Sequence, residues 1–246
     1  MPKSSARPSP ARSSPPERVK AILTELEKLG TKKRREEMAT RYGIFADKAW
    51  GVAMSDMQKL AKRTGRDHEL AEALWKTGWY EARMVASMVD DPKQVTPEQM
   101  DRWCRDFDNW AICDTVCFKL FDSVPHAFDK VRKWSASREE FTRRAGFALL
   151  ACMSPEDERA AEKDFIACLP LIEKMATDER NFVKKAVNWA LRAVGGRSRK
   201  LHTAATAMAQ RLADSPDKTA RWIGKDALKQ LGSPATLKRV ERHERA

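Results

Sequence analysis

The chain has 246 residues, with 47 Lys and Arg against 35 Asp and Glu, a formal charge of +12 and a pI near 9.6. A core of useful size is within reach at that length, and the excess of cations favours a polyanion such as nucleic acid as the partner. No uninterrupted apolar run approaches the ~20 residues of a membrane-spanning helix and no apolar leader stands near the N-terminus, so a soluble cytoplasmic protein is expected.

Residues 1–16, MPKSSARPSPARSSPP, carry Ser, Pro, Ala and Arg without apolar periodicity, the composition of a disordered tail. From Glu17 the punctuation is helical. VKAILTELEKLG places apolar residues at 19, 22, 23 and 26 and stops at Gly30. TKKRREEMATRYG, DKAWGVAMSDMQKLAKRTG and HELAEALWKTGWYEARMVASMVDDP follow, and Thr96-Pro97 opens TPEQMDRWCRDF. Sustained period-two alternation is missing and β-branched residues are sparse, which predicts an all-α protein.

In residues 106–121, DFDNWAICDTVCFKLF, helical spacing puts Trp110, Asp114, Cys117 and Phe121 on one face. A carboxylate inside an apolar, aromatic stripe asks for a reason: a neighbouring Arg, a wet groove or a catalytic function. The helix that carries it either runs on from Pro97 or restarts with Asp108 as its N-cap. Cys113 and Cys117 lie one turn apart, but no Cys/His cluster with zinc spacing accompanies them. The five cysteines, an odd count, read as reduced thiols, and no metal site is expected.

Phe141-Thr-Arg-Arg-Ala145 and Phe182-Val-Lys-Lys-Ala186 share one pattern 41 residues apart, and ARWIGKDALKQLG from Ala220 repeats it more loosely. A period near ~40 residues is that of HEAT-type arrays, which stack into curved solenoids. An irregular helical bundle is the alternative. The expected architecture is therefore an all-α, HEAT-like helical-repeat solenoid, a single domain over residues 17–235 with a concave basic groove, followed by a charged tail over 236–246. Lys185, Trp189 and Arg192 share a helix face, and Arg143 and Arg144 stand at the corresponding point of the preceding repeat. Residues 199–246 hold 11 Lys and Arg against 5 Asp and Glu. Cations on successive repeats, interleaved with aromatics, suit a phosphate-tracking groove, so Arg143, Lys185, Arg192, Arg221 and Lys225 are candidate DNA-binding residues. The eight tryptophans (50, 75, 79, 103, 110, 134, 189, 222) are expected for the most part to pack between helices.

Asp108-Asn109 followed by Trp110-Ala-Ile-Cys-Asp114, the helix with Arg143-Arg144 and the helix with Trp189 together resemble the DNA alkylation repair glycosylases of the AlkD type. Trp50-Gly-Val, Leu60-Ala61 and MVASMVDDPKQVTPEQMDRW extend the resemblance over about residues 17–235. It implies a monofunctional DNA glycosylase that hydrolyses the N-glycosidic bond of N3- and N7-alkylated purines in duplex DNA, the first step of base excision repair. The implied enzyme acts as a monomer, without metal, organic cofactor or obligate protein partner. Carried over, the catalytic carboxylate falls on Asp114 and its aromatic partner on Trp110. The second aromatic wall falls on Trp189, and the site arginine on Arg144 or its neighbour Arg143, where it would clamp a phosphate. One departure stands out: many members have a second Asp directly after the motif Trp, and here that residue is Ala111.

A purine alkylated at N3 or N7 is already cationic and leaves as a neutral base, so one carboxylate suffices where ordinary glycosides need two. The rivals are a catalytically silent HEAT-like module that recognises damaged or distorted duplex, and a protein-interaction solenoid. The first would have no need of Asp114, whose charge opposes DNA binding. The second would carry less positive charge and a larger apolar groove.

Overall fold

A computed structural model describes residues 14–154 and 161–244, with side chains as far as Arg242. Among these residues there are fourteen α-helices and no strand. They run α1 (Pro15–Leu29), α2 (Lys32–Thr40), α3 (Met54–Thr64), α4 (His68–Lys76), α5 (Tyr80–Val89), α6 (Pro97–Arg105) and α7 (Trp110–Lys119). After a 3-10 turn (Phe121–Ser123) come α8 (Ala127–Ser135), α9 (Glu140–Met153), α10 (Glu162–Met175), α11 (Asn181–Gly195), α12 (Arg199–Ala213), α13 (Lys218–Leu231) and α14 (Pro234–Glu244). The tail expected over residues 1–16 lies mostly outside the described residues, and Pro15 and Pro16 open α1. The charged segment expected from residue 236 continues as helix through Glu244 and buries Thr236 and Val240.

Polar caps set several starts: Thr31, Asp67, Thr96, Ser198 and Asp217 each accept a backbone N–H from the first turn of their helix. Two stretches that read as continuous helix are interrupted. The 47–65 segment is helical only from Met54, because the buried Glu81 carboxylate accepts the N–H groups of Trp50, Gly51 and Val52 and holds them in a loop. The 68–92 segment breaks between α4 and α5, where Trp79 stacks on Trp50 with ring centroids 3.6 Å apart.

Helices α5, α7, α9, α11 and α13 pack side by side in one row, while α8, α10 and α12 form a second row behind α9, α11 and α13. This two-layer array of helix pairs is the arrangement of a HEAT-like solenoid, whose free face of the first row is its concave surface. Glycines set the closest approaches between rows. A Cβ on Gly146 of α9 would stand 2.6 Å from the Ser135 nitrogen of α8, and one on Gly224 of α13 would stand 2.2 Å from the Ala213 nitrogen of α12. Both occupy the seventh position after the helix cap, so the repeat is a packing repeat as well as a sequence repeat.

The interior is aromatic and aliphatic. Trp75 and Trp103 stack at 3.9 Å, and Trp103, Phe121 and Trp134 follow in a chain of ring contacts. Each buried indole N–H finds a carboxylate: Trp75 donates to Asp106, Trp103 to Glu72 and Trp134 to Asp101. Of the tryptophans expected between helices, Trp75, Trp103 and Trp134 are buried there, and Trp50, Trp79, Trp110 and Trp189 are half-buried against the core. Trp222 is 42% exposed.

Candidate active site and nucleic-acid face

Three of the first-row helices start alike. Two residues before the caps of α9, α11 and α13, Ser137, Asp178 and Ser215 accept the N–H of Glu139, Arg180 and Asp217 through their side chains. Counting from the caps Asn109, Glu139, Arg180 and Asp217, the fifth residues of α7, α9, α11 and α13 are Asp114, Arg144, Lys185 and Trp222. One slot, repeated along the free face, thus carries the chemistry.

Helix α7 restarts at Trp110, and its cap is Asn109, one residue beyond the alternative of Asp108. The Asn109 amide oxygen accepts from Ala111 and Ile112 at 3.0 and 3.1 Å, while its amide nitrogen donates to Asp108 at 2.6 Å. That start places Trp110 in the first turn and Asp114 one turn on, along the same face. The half-buried Trp110 ring is fixed by its indole N–H, which donates to the Tyr42 carbonyl at 2.9 Å.

Arg144 meets Asp114 through two parallel bonds, Nε to Oδ1 at 2.8 Å and Nη2 to Oδ2 at 2.6 Å, and its Nη1 donates to the Phe182 carbonyl at 2.7 Å. One guanidinium therefore joins α7, α9 and α11. The pair sits low in the free face, with side-chain exposures of 8% for Arg144 and 21% for Asp114. Burial pushes the Asp114 carboxyl above its ordinary value, and the charge and hydrogen bonds of Arg144 pull against that rise. Each carboxylate oxygen still has a second lone-pair site, so a water or a sugar could be met with Arg144 in place.

The other candidate residues divide into two groups. Arg143 turns away from Asp114: its Nε donates to the Ser137 carbonyl at 2.7 Å and its Nη1 to Asp178 at 2.6 Å. Arg221 does the same in its own repeat, donating to the carbonyls of Ser215 and Pro216 at 2.7 and 2.9 Å. Both arginines clamp the turn before their helix. Lys185 and Lys225 stand exposed on the free face. Half-buried Arg192 lies 3.6 Å from Asp226, which also accepts from Asn188 at 2.6 Å. Trp189, one turn beyond Lys185, is half-buried on the same face. The structure thus brings Asp114, Arg144 and Trp110 together on or beside one slot and separates Arg143 from them. A phosphate clamp by Arg144 would require it to release bonds it already makes.

The carbonyls of Tyr42 and Phe182, which hold Trp110 and Arg144, leave no mark in residue identity and were not among the residues expected. Trp222 did leave one: aligned on the repeat, it falls in the register of Arg144 and Lys185. Among the described residues no three His, Cys, Asp or Glu side chains are grouped closely enough to hold a metal, and all five cysteines are free thiols. No described helix is long and apolar enough to cross a membrane.

The fold has solved counterparts. A protein from a family related to the HEAT-like repeat DNA glycosylases, with affinity for branched DNA structures, superposes with a TM-score of 0.71 at 24% identity, over 87% of this chain and 96% of its own. No curated protein sequence matches the chain. The family model for DNA alkylation repair enzymes matches residues 22–231, nearly the whole described length, and the chain belongs to that family.

Proposed function

We propose that the protein is a DNA glycosylase that hydrolyses the N-glycosidic bond of cationic, N3- or N7-alkylated purines in duplex DNA. The observation that carries this reading is the Asp114–Arg144 pair: a largely desolvated carboxylate, set beside Trp110 on the free face of a basic helical array. A carboxylate that opposes DNA binding yet is held in place by two hydrogen bonds fits a group that acts on developing positive charge. As the C1′–N9 bond breaks, its electrons neutralise the alkylated purine and the sugar becomes oxocarbenium-like. Asp114 stabilises that cation at short range and accepts a hydrogen bond from the water that adds to C1′. Low polarity around Trp110 strengthens the attraction, and the faces of Trp110 and Trp189 favour a cationic base by about 0.5–2 kcal/mol per contact. Arg144 acts as a positioning residue, fixing the carboxylate. Lys185, Arg192 and Lys225 supply sequence-independent affinity for the backbone. On this reading the enzyme works as a monomer, without cofactor, wherever the cell keeps its DNA.

The test is single-turnover release of 7-methylguanine from methylated duplex by the wild type and by Asp114→Asn. Release by the first and its loss in the second would support the assignment. A second reading, a non-catalytic module for distorted DNA, is favoured by the branched-DNA affinity of the structural relative and by the engagement of both Asp114 oxygens with Arg144. No release from either protein, with DNA binding intact, would select it.

A further inference from the structure

Trp222 is the fifth residue of α13 after its cap, the position held by Asp114, Arg144 and Lys185 on the preceding first-row helices. Its ring is 42% exposed, and the Lys184 ammonium lies 5.7 Å from the ring centroid. Isolated apolar side chains are common on protein surfaces, so exposure alone says little. The setting is what distinguishes this one. Lys218 precedes it by one turn, Lys225 follows within one turn, and Lys185 occupies the same slot of α11. None of these three cations is paired with a carboxylate among the described residues. An exposed indole with one ammonium over its ring and unpaired lysines within one turn on either side combines the two elements of a single-strand site, a stacking platform and a field for phosphates. A protein partner that covered this patch would have to desolvate those lysines, whereas a polyanion neutralises them.

We propose that Trp222, backed by Lys184, is a stacking platform for an unpaired nucleobase, two first-row helices beyond the Asp114–Arg144 pair. It gives the groove a preference for DNA in which a base has left the duplex stack, as at a gap or branch. The proposal rests on the free face being a DNA surface, and it stands whether or not Asp114 is catalytic.

The experiment compares binding of a fluorescein-labelled intact duplex and the same duplex carrying a short dT gap, for the full chain and for Trp222→Ala, Trp222→Phe and Lys184→Ala. The wild type should prefer the gapped DNA. Trp222→Ala should lose about tenfold on it, in line with removal of one base–aromatic stack, with little change on the intact duplex. Trp222→Phe should retain most of the preference, and Lys184→Ala should lose part of it. Quenching of intrinsic fluorescence by oligo(dT) should be smaller in Trp222→Phe than in the wild type. Equal affinity of Trp222→Ala and wild type for the gapped DNA would overturn the proposal, as would equal losses on both DNAs. Concentration-dependent self-association abolished by Trp222→Ala, without an effect on DNA, would overturn it in favour of a protein contact. Failure of the wild type to bind either DNA would instead remove the DNA reading of the whole face.

Discussion

Asp178 and Asp114 face Arg143 and Arg144, two arginines that are neighbours in sequence. At the rim, Asp178 accepts from Arg143 Nη1 at 2.6 Å and from the backbone nitrogen, Nε and Nη2 of Arg180 at 3.1, 3.0 and 2.6 Å. In the groove, Asp114 accepts two bonds from a single guanidinium, that of Arg144. Burial raises both carboxyls, but at Asp178 the hydrogen bonds of Arg180 and Arg143 outweigh it and hold the group at about 2, whereas at Asp114 burial prevails and the carboxyl stays above its ordinary value. The same chemistry gives a structural clamp where donors are many and a poised carboxylate where they are few. What separates them is donor number against desolvation.

The largest effect that tests this contrast is at the chemical step. Asp114→Asn should lower single-turnover release of 7-methylguanine by about a hundredfold or more, while affinity for undamaged duplex holds or tightens because a negative charge has left the groove. Weaker binding in that variant would place Asp114 outside the role given to it.

Stability should separate the two arginines next. Arg144→Ala leaves a mostly desolvated carboxylate without its counter-ion and should destabilise by about 3 kcal/mol, with part of the loss recovered by adding Asp114→Asn. Arg143→Ala leaves Asp178 with the three bonds from Arg180 and should remove only about 1 kcal/mol. Equal losses in urea unfolding would erase the distinction.

The pH dependences should have opposite senses. Asp178 and Asp101 sit at about 2 in the folded protein against an ordinary 3.8; at Asp101 burial is outweighed by Lys130, Lys133 and Trp134. Their contribution is fully present above 3.8 and is lost as pH falls through 2, since the unfolded chain takes up the protons first. Asp178→Asn should therefore flatten acid unfolding over that window. Asp114, raised by burial, takes up its proton earlier on acidification in the folded state, so release should fail at a higher pH than an unperturbed aspartate would give, while the fold persists. A release profile that tracked global unfolding would count against this separation.

The smallest effect lies in the salt dependence of duplex binding. Lys185→Ala and Lys225→Ala should each reduce the slope of log K against log salt by about 1, and Arg143→Ala should leave it unchanged. A lower slope for Arg143→Ala would move that arginine from the rim clamp to the phosphates.

Much of the fold is legible in the residues because helices carry their own punctuation. The 41-residue spacing of the Phe141 and Phe182 motifs marks two helices that do pack side by side, their rings 5.3 Å apart. Long-range partners were less legible. The loop over residues 50–52 exists because Glu81, some thirty residues on, accepts its N–H groups, and nothing within the loop announces that. Trp110 and Arg144 could be singled out as site residues, but not the carbonyls of Tyr42 and Phe182 that orient them, since every residue has a carbonyl.

The sequence by itself determined the helical periodicity and the repeat register of Arg144 and Lys185, while the place of Asp114 in the same slot followed from the Asn109 cap. Only the tertiary structure decided what each side chain in that register meets. Arg143 and Arg144 differ by about 100° around α9, so one reaches the turn before its own repeat and the other crosses to α7. Sequence spacing states the angle at which a side chain leaves its helix, but the groups waiting there belong to other helices. Their distance and their exclusion of water determine whether an ion pair is a clamp or a site.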